Sequence, residues 1–114
     1  VREPKERMKD ILEAIDHIER YSSQGRARFE NDELIQSWFT RHLQIIGEAA
    51  RLIPEEVRQL APEVPWTKMI GMRHILVHDY FRIDTDIVWQ VVSYELPRLK
   101  SSLQVILKNL EQKS

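Results

Sequence analysis

From Val92 to Leu110 the residues Val92, Leu96, Leu99, Leu103, Ile106 and Leu110 stand at alternating intervals of four and three. This is a heptad seam, which keeps one stripe of a helix against a neighbour over several turns. A chain with such a seam needs other long helices to cover it, and the rest of the sequence supplies them. Met8, Ile11, Leu12, Ile15 and Ile18 fall at helical spacing behind Pro4, which suits a first helical turn, so the spacing predicts helix one over about residues 4–21. Ser22-Ser23-Gln24-Gly25 ends it, and the stretch to Asn31 reads as a connecting loop.

Asn31 or Asp32 can cap helix two, which runs to about Ile53, where Pro54 stops it. Its apolar stripe is Ile35, Trp38, Phe39, Ile46, Ala49 and Ile53, widened by Leu43, Ile45 and Ala50. Residues 55–61, between Pro54 and Pro62, read as one short helical turn. Pro65 opens helix three, which is apolar nearly all round and is therefore expected to be the most buried element. Asp84 caps helix four, from about Thr85 to Glu111, with Pro97 expected to kink or break it near Leu96. The fold expected is all-α: one domain over residues 1–114, an antiparallel bundle of four main helices plus a short extra helix.

Composition narrows what such a bundle can do. The 114 residues contain no cysteine, which excludes disulfides and thiolate metal sites and suits a reducing cytoplasm. The longest apolar runs are a few residues, as in Ile75-Leu76-Val77, so no membrane span is expected, and the charged first residues are unlike a signal peptide. Lys plus Arg number 17 against 18 Asp plus Glu, a net charge of −1, so an anion site must be local rather than global. Over residues 65–83, Lys68, Arg73 and Arg82 stand against Asp79, a local balance of +2, with His74 and His78 in the same stretch.

That stretch carries the candidate chemistry. From Arg73 the chain reads Arg-His-Ile-Leu-Val-His-Asp-Tyr, a polar cluster at the end of the most apolar helix. His74 and His78 share a helical face, Arg73 and His78 lie about 140° apart around the axis, and Tyr80 falls at or just past the helix end. Arginine offers a planar cationic fork that matches a phosphodiester, and histidine exchanges protons near neutral pH. Together with tyrosine they can support phosphoryl chemistry without a metal. In RNA the base would activate the 2′-hydroxyl, and the arginine would stabilise charge on the phosphorane-like transition state.

Blander readings stand beside this one. Arg73 can simply pair with Glu48 on the adjacent helix. His74 and His42 read first as hydrogen-bonded core or surface residues, and His17, between charged neighbours, as a solvated one. Gly47 and Gly71 inside helices suggest close helix contact, within the monomer or across a dimer. Trp38, Trp66 and Trp89 read as core or interface anchors. His74 and His78 are spaced for two metal ligands, but no third is identifiable, so a metal site is disfavoured and no cofactor is implied.

The pattern Arg73, His78 and Tyr80 resembles the R-x-x-x-x-H-x-Y signature of HEPN-domain (higher eukaryotes and prokaryotes nucleotide-binding) proteins of the HepT-like toxin family. Ile46-Gly47-Glu48-Ala49, Val64-Pro65-Trp66, Gly71-Met72-Arg73, His78-Asp79-Tyr80-Phe81 and the stretch from Asp84 to Trp89 are similar to the same family, in the expected order. The resemblance implies a dimeric HEPN-like bundle with two Arg–His pairs in a cleft between protomers, acting as a metal-independent endoribonuclease toxin. It implies that Arg73 polarises the phosphate and His78 acts as general acid or base. It further implies a minimal nucleotidyltransferase antitoxin that transfers AMP from ATP onto Tyr80, and RNA as substrate. Glu48, His74 and Asp79 are candidate supporting residues. Other HEPN relatives imply an alternative, a non-catalytic subunit that binds a nucleotide or docks a nucleotidyltransferase.

Overall fold

A computed structural model describes residues 3–78 and 84–112, except for the side chains of Met72 and residues 74–78. Helix α1 (Pro4–Ser22) starts with Pro4 in its first turn and turns Met8, Ile11, Ala14, Ile15 and Ile18 into the core. It ends before Gly25, whose φ of 95° is the left-handed backbone that glycine adopts without a Cβ penalty.

The next stretch departs from the expected loop. Residues Arg26–Glu30 form a short helix, α2. Five residues carry no readable periodicity, and so short a helix has little stability of its own. Tertiary contact holds it: Phe29 is fully buried, stacked 5.1 Å from Phe39 and 5.6 Å from Trp89 between ring centroids. Arg26 adds ion pairs to Glu30 and Asp86.

Helix α3 (Glu33–Leu52) is capped by Asp32 rather than Asn31: one Asp32 carboxylate oxygen accepts from the backbone N–H of Leu34 at 2.9 Å and of Ile35 at 3.3 Å. Its buried face comprises Ile35, Phe39, His42, Leu43, Ile46, Gly47, Ala49 and Ala50, close to the stripe expected, whereas Ile45 is exposed. The Trp38 indole donates to the His17 carbonyl at 2.8 Å. A short α4 (Glu55–Arg58) leads to α5 (Trp66–His78), and the buried Trp66 indole donates to Ala61 O at 3.0 Å. In α5 Trp66 and Met69 are buried and Thr67 and Lys68 are exposed; most of its later side chains lie outside the described residues.

Asp84 caps α6 (Thr85–Gln90), accepting from the N–H of Asp86 at 3.1 Å and Ile87 at 3.2 Å. A π-helical turn (Val91–Glu95) follows, and then α7 (Leu96–Gln112). The expected break at Pro97 is therefore absorbed one turn upstream. Proline lacks the N–H that would bond the Ser93 carbonyl, and widening the preceding turn relieves the clash. Val92, Leu96, Leu99, Leu103 and Ile106 of the seam are buried and Leu110 partly so, with α7 packed along α1. Helix α3 packs between α1 and α5. Among the described residues the chain is all-helical, with no strand, and no helix is long and apolar enough to cross a membrane.

Candidate active site on the face between helices α3 and α5

Gly47 sets the site's geometry. A Cβ there would lie 3.1 Å from the Met69 carbonyl oxygen and 3.2 Å from Arg73 Cβ, so the missing side chain lets α5 press directly onto α3. The packing reading thus holds for Gly47; a Cβ at Gly71 would meet nothing within 4 Å among the described residues. Close approach puts Arg73 opposite the residue after the glycine. Arg73 Nη1 stands 3.1 Å from Glu48 Oε2, with the side chains 37% and 42% exposed.

Glu48 is held from its other side too. Arg51, one turn along α3, donates from Nη2 to Glu48 Oε1 at 2.7 Å and from Nε to Oε2 at 3.4 Å. That hydrogen bonding, with the charges of Arg51, Arg73 and Arg7, holds the Glu48 carboxyl below its ordinary range despite slight desolvation. The carboxylate stays an anion across the neutral range. Arg73, Glu48, Arg41, Gln44 and Ile45 together line an opening of about 330 Å³.

His78 is the last residue of α5. Five residues at the helical rise put it about 7.5 Å along the axis from Arg73. The side chains of His74 and His78, and residues Asp79 and Tyr80 altogether, lie outside the described residues. Of the three cations in the local charge count, the two among the described residues are paired: Lys68 with Glu95 of the π turn at 2.8 Å and Arg73 with Glu48 at 3.1 Å. Arg51, Arg41 and Gln44 were not singled out by sequence reasoning. The signal available was their spacing from Glu48, at three, seven and four residues on one helix.

A second cavity, about 360 Å³ between α1 and α3, shares Glu48 and Ile45 with the first and is also lined by His17 and His42. The two imidazoles stack at 4.8 Å between centroids, and Trp38 meets His42 edge-on at 4.4 Å. His17 is therefore not the solvated residue expected; the helical period of α1 places it, one turn from the buried Ala14, against Trp38 and His42 of α3, where it is half-buried. His42 is buried, and burial, then the neighbouring His17 and Arg41, push its pKa down. It belongs to the packing, as expected, but neither ring nitrogen has a hydrogen-bond partner among the described residues, contrary to the hydrogen-bonded role expected.

Comparison with known proteins identifies the family. The family described as "Ribonuclease HepT-like" matches residues 11–106. A candidate RNase of Methanocaldococcus jannaschii is 40% identical over 98 residues, covering 85% of this chain and 90% of its own. A probable ribonuclease HepT of Thermococcus cleftensis is 37% identical over 110 residues, 94% of this chain and 98% of its own. A candidate RNase of Caldanaerobacter subterraneus is 34% identical over 106 residues, 92% and 95% of the two chains. No solved structure matches significantly. With the family match spanning residues 11–106 and these relatives aligned over most of both chains, the chain belongs to the HepT-like ribonuclease family.

Proposed function

We propose that this chain is a metal-independent endoribonuclease, the toxin of a toxin–antitoxin pair, acting in the cytoplasm as a homodimer of antiparallel four-helix bundles. The observation that carries this reading is Arg73: a half-exposed guanidinium, anchored at one edge, on the helix that ends in His78. Relatives named as ribonucleases over most of the chain length support RNA as the substrate. His78 takes the proton of the 2′-hydroxyl, whose oxygen attacks the adjoining phosphorus. The bond from phosphorus to the 5′-oxygen breaks, leaving a 2′,3′-cyclic phosphate and a 5′-hydroxyl. The proton on the leaving oxygen comes from the histidine of the second protomer, and Arg73 stabilises the charge that builds on the phosphoryl oxygens. A minimal nucleotidyltransferase antitoxin transfers AMP from ATP onto the Tyr80 hydroxyl, releasing pyrophosphate, and the added anion, two residues from His78 in the sequence, excludes RNA by bulk and repulsion.

The ion pair with Glu48 favours one second reading. In it Arg73 is a structural cation, and the chain is a non-catalytic subunit that binds a nucleotide or a nucleotidyltransferase. One experiment separates the two. Wild type and His78→Ala, made in a host without the antitoxin and shown by intact mass to carry no AMP, are incubated with mixed RNA in EDTA. Cleavage by the wild type that disappears in the variant, with fold and oligomeric state unchanged, supports the toxin. Equal cleavage by both removes His78 from the mechanism. No cleavage by either moves the assignment to the binding subunit.

A further inference from the structure

Resting on the ribonuclease reading, we infer that Glu48 is the positioning residue of the site: a braced carboxylate that fixes one edge of the Arg73 guanidinium and leaves its other edge for the RNA phosphate. A free arginine side chain has several rotatable bonds, and a phosphoryl-transfer site needs its fork within a fraction of an ångström of the productive place. Three contacts supply that order. The absent side chain at Gly47 brings the Arg73 backbone against α3. Glu48 Oε2 then holds Arg73 Nη1 at 3.1 Å. Arg51 grips the same carboxylate through both of its ends, at 2.7 and 3.4 Å, so the anchor is itself anchored.

The geometry leaves Arg73 chemically available. A guanidinium carries five N–H donors, and only the Nη1 corner faces Glu48. Among the described residues Glu48 is the partner of this guanidinium, and its remaining fork can take two oxygens of a phosphodiester in the opening that Arg73 shares with Arg41 and Gln44. Charge is arranged to suit. Arg51 balances Glu48, so the carboxylate orients Arg73 without cancelling the positive field that the phosphate meets. Glu48 touches neither substrate nor reacting atoms in this scheme; it acts through Arg73.

The test is steady-state cleavage of one fluorogenic RNA by wild type, Glu48→Gln, Glu48→Asp, Arg73→Lys and the double variant Glu48→Gln/Arg73→Lys. Glu48 is 42% exposed, so the variants should fold, and thermal unfolding checks that they do. Glu48→Gln is expected to lower kcat about tenfold with KM within about twofold, because misplacement is felt mainly in the transition state. Glu48→Asp, which keeps the charge but shortens the reach, should lose as much. In the Arg73→Lys background, where no fork remains to orient, Glu48→Gln should change kcat less than about twofold. Equal losses in both backgrounds, or losses that track only the melting temperature, overturn the inference and leave the ribonuclease assignment standing. A wild type that cuts no RNA removes both.

Discussion

Gly47 and Arg73 stand so close that a Cβ on the glycine would lie 3.2 Å from the Cβ of the arginine, with the Met69 carbonyl at 3.1 Å. Both neighbours belong to the body of α5 rather than to a flexible side-chain end, so relief requires moving that helix. Gly47→Ala gains about 1 kcal/mol in helix propensity and loses about 1–3 kcal/mol to overpacking. The expected result is a net loss of roughly 1 kcal/mol in urea unfolding, together with weaker RNA cleavage as Arg73 is displaced. A variant as stable and as active as the wild type would show that α5 has room to retreat.

Phe29 anchors α2, stacked between Phe39 and Trp89 and fully buried. Removing the ring leaves a cavity under a five-residue helix with little stability of its own. Phe29→Ala should cost about 3–5 kcal/mol, measured by chemical denaturation. Faster proteolysis between residues 22 and 32 should accompany it. A loss below about 1 kcal/mol would mean that α2 contributes little to the core.

These cases mark what the chain reveals before it folds. The heptad seam, the α3 stripe, the Asp84 cap and Pro4 were legible because each follows from a local period or from one residue's backbone chemistry. Helix α2 was not, since its signal is one aromatic residue whose partners lie ten and sixty residues away. The π turn was half-legible: Pro97 announces a disturbance, but the turn that absorbs it depends on packing. At the site, the pairing of Arg73 with Glu48 could be anticipated, whereas the bracing by Arg51 was signalled only by its three-residue spacing from Glu48, which many unpaired helix residues share. His17 misled because charged sequence neighbours say nothing about the helix opposite.

His42 should make stability depend on pH. Burial first, then His17 and Arg41, lower its pKa, against a weaker opposing effect of Glu13. The unfolded chain then binds a proton more readily than the folded one. Stability from this group is fully present above the unfolded value of about 6.5 and is lost as pH falls below it, until the depressed folded pKa is reached. Both His42 ring nitrogens are buried with no hydrogen-bond partner among the described residues. His42→Leu should therefore match or exceed the wild type at pH 7.5, and lose less stability than the wild type between pH 7.5 and 5.5. Parallel losses in urea titrations of the two proteins would assign the acid sensitivity elsewhere.

Arg41 should govern how tightly RNA binds rather than how fast it is cut. It is exposed, lies seven residues before Glu48 on α3, and lines the same opening as Arg73. On the ribonuclease reading, an RNA strand whose scissile phosphate sits at Arg73 meets a second cation in the same opening. Neutralising one phosphate contact on a single strand changes the slope of log affinity against log salt by about 0.7. Arg41→Gln is expected to raise KM several-fold at low salt, leave kcat within about twofold, and flatten the salt dependence by about that slope. The check is cleavage kinetics of one RNA between 50 and 200 mM salt, the span over which such contacts are strongly screened. A drop in kcat at constant KM would instead place Arg41 with Arg73 at the reacting phosphate. An unchanged salt slope would take Arg41 off the RNA path altogether.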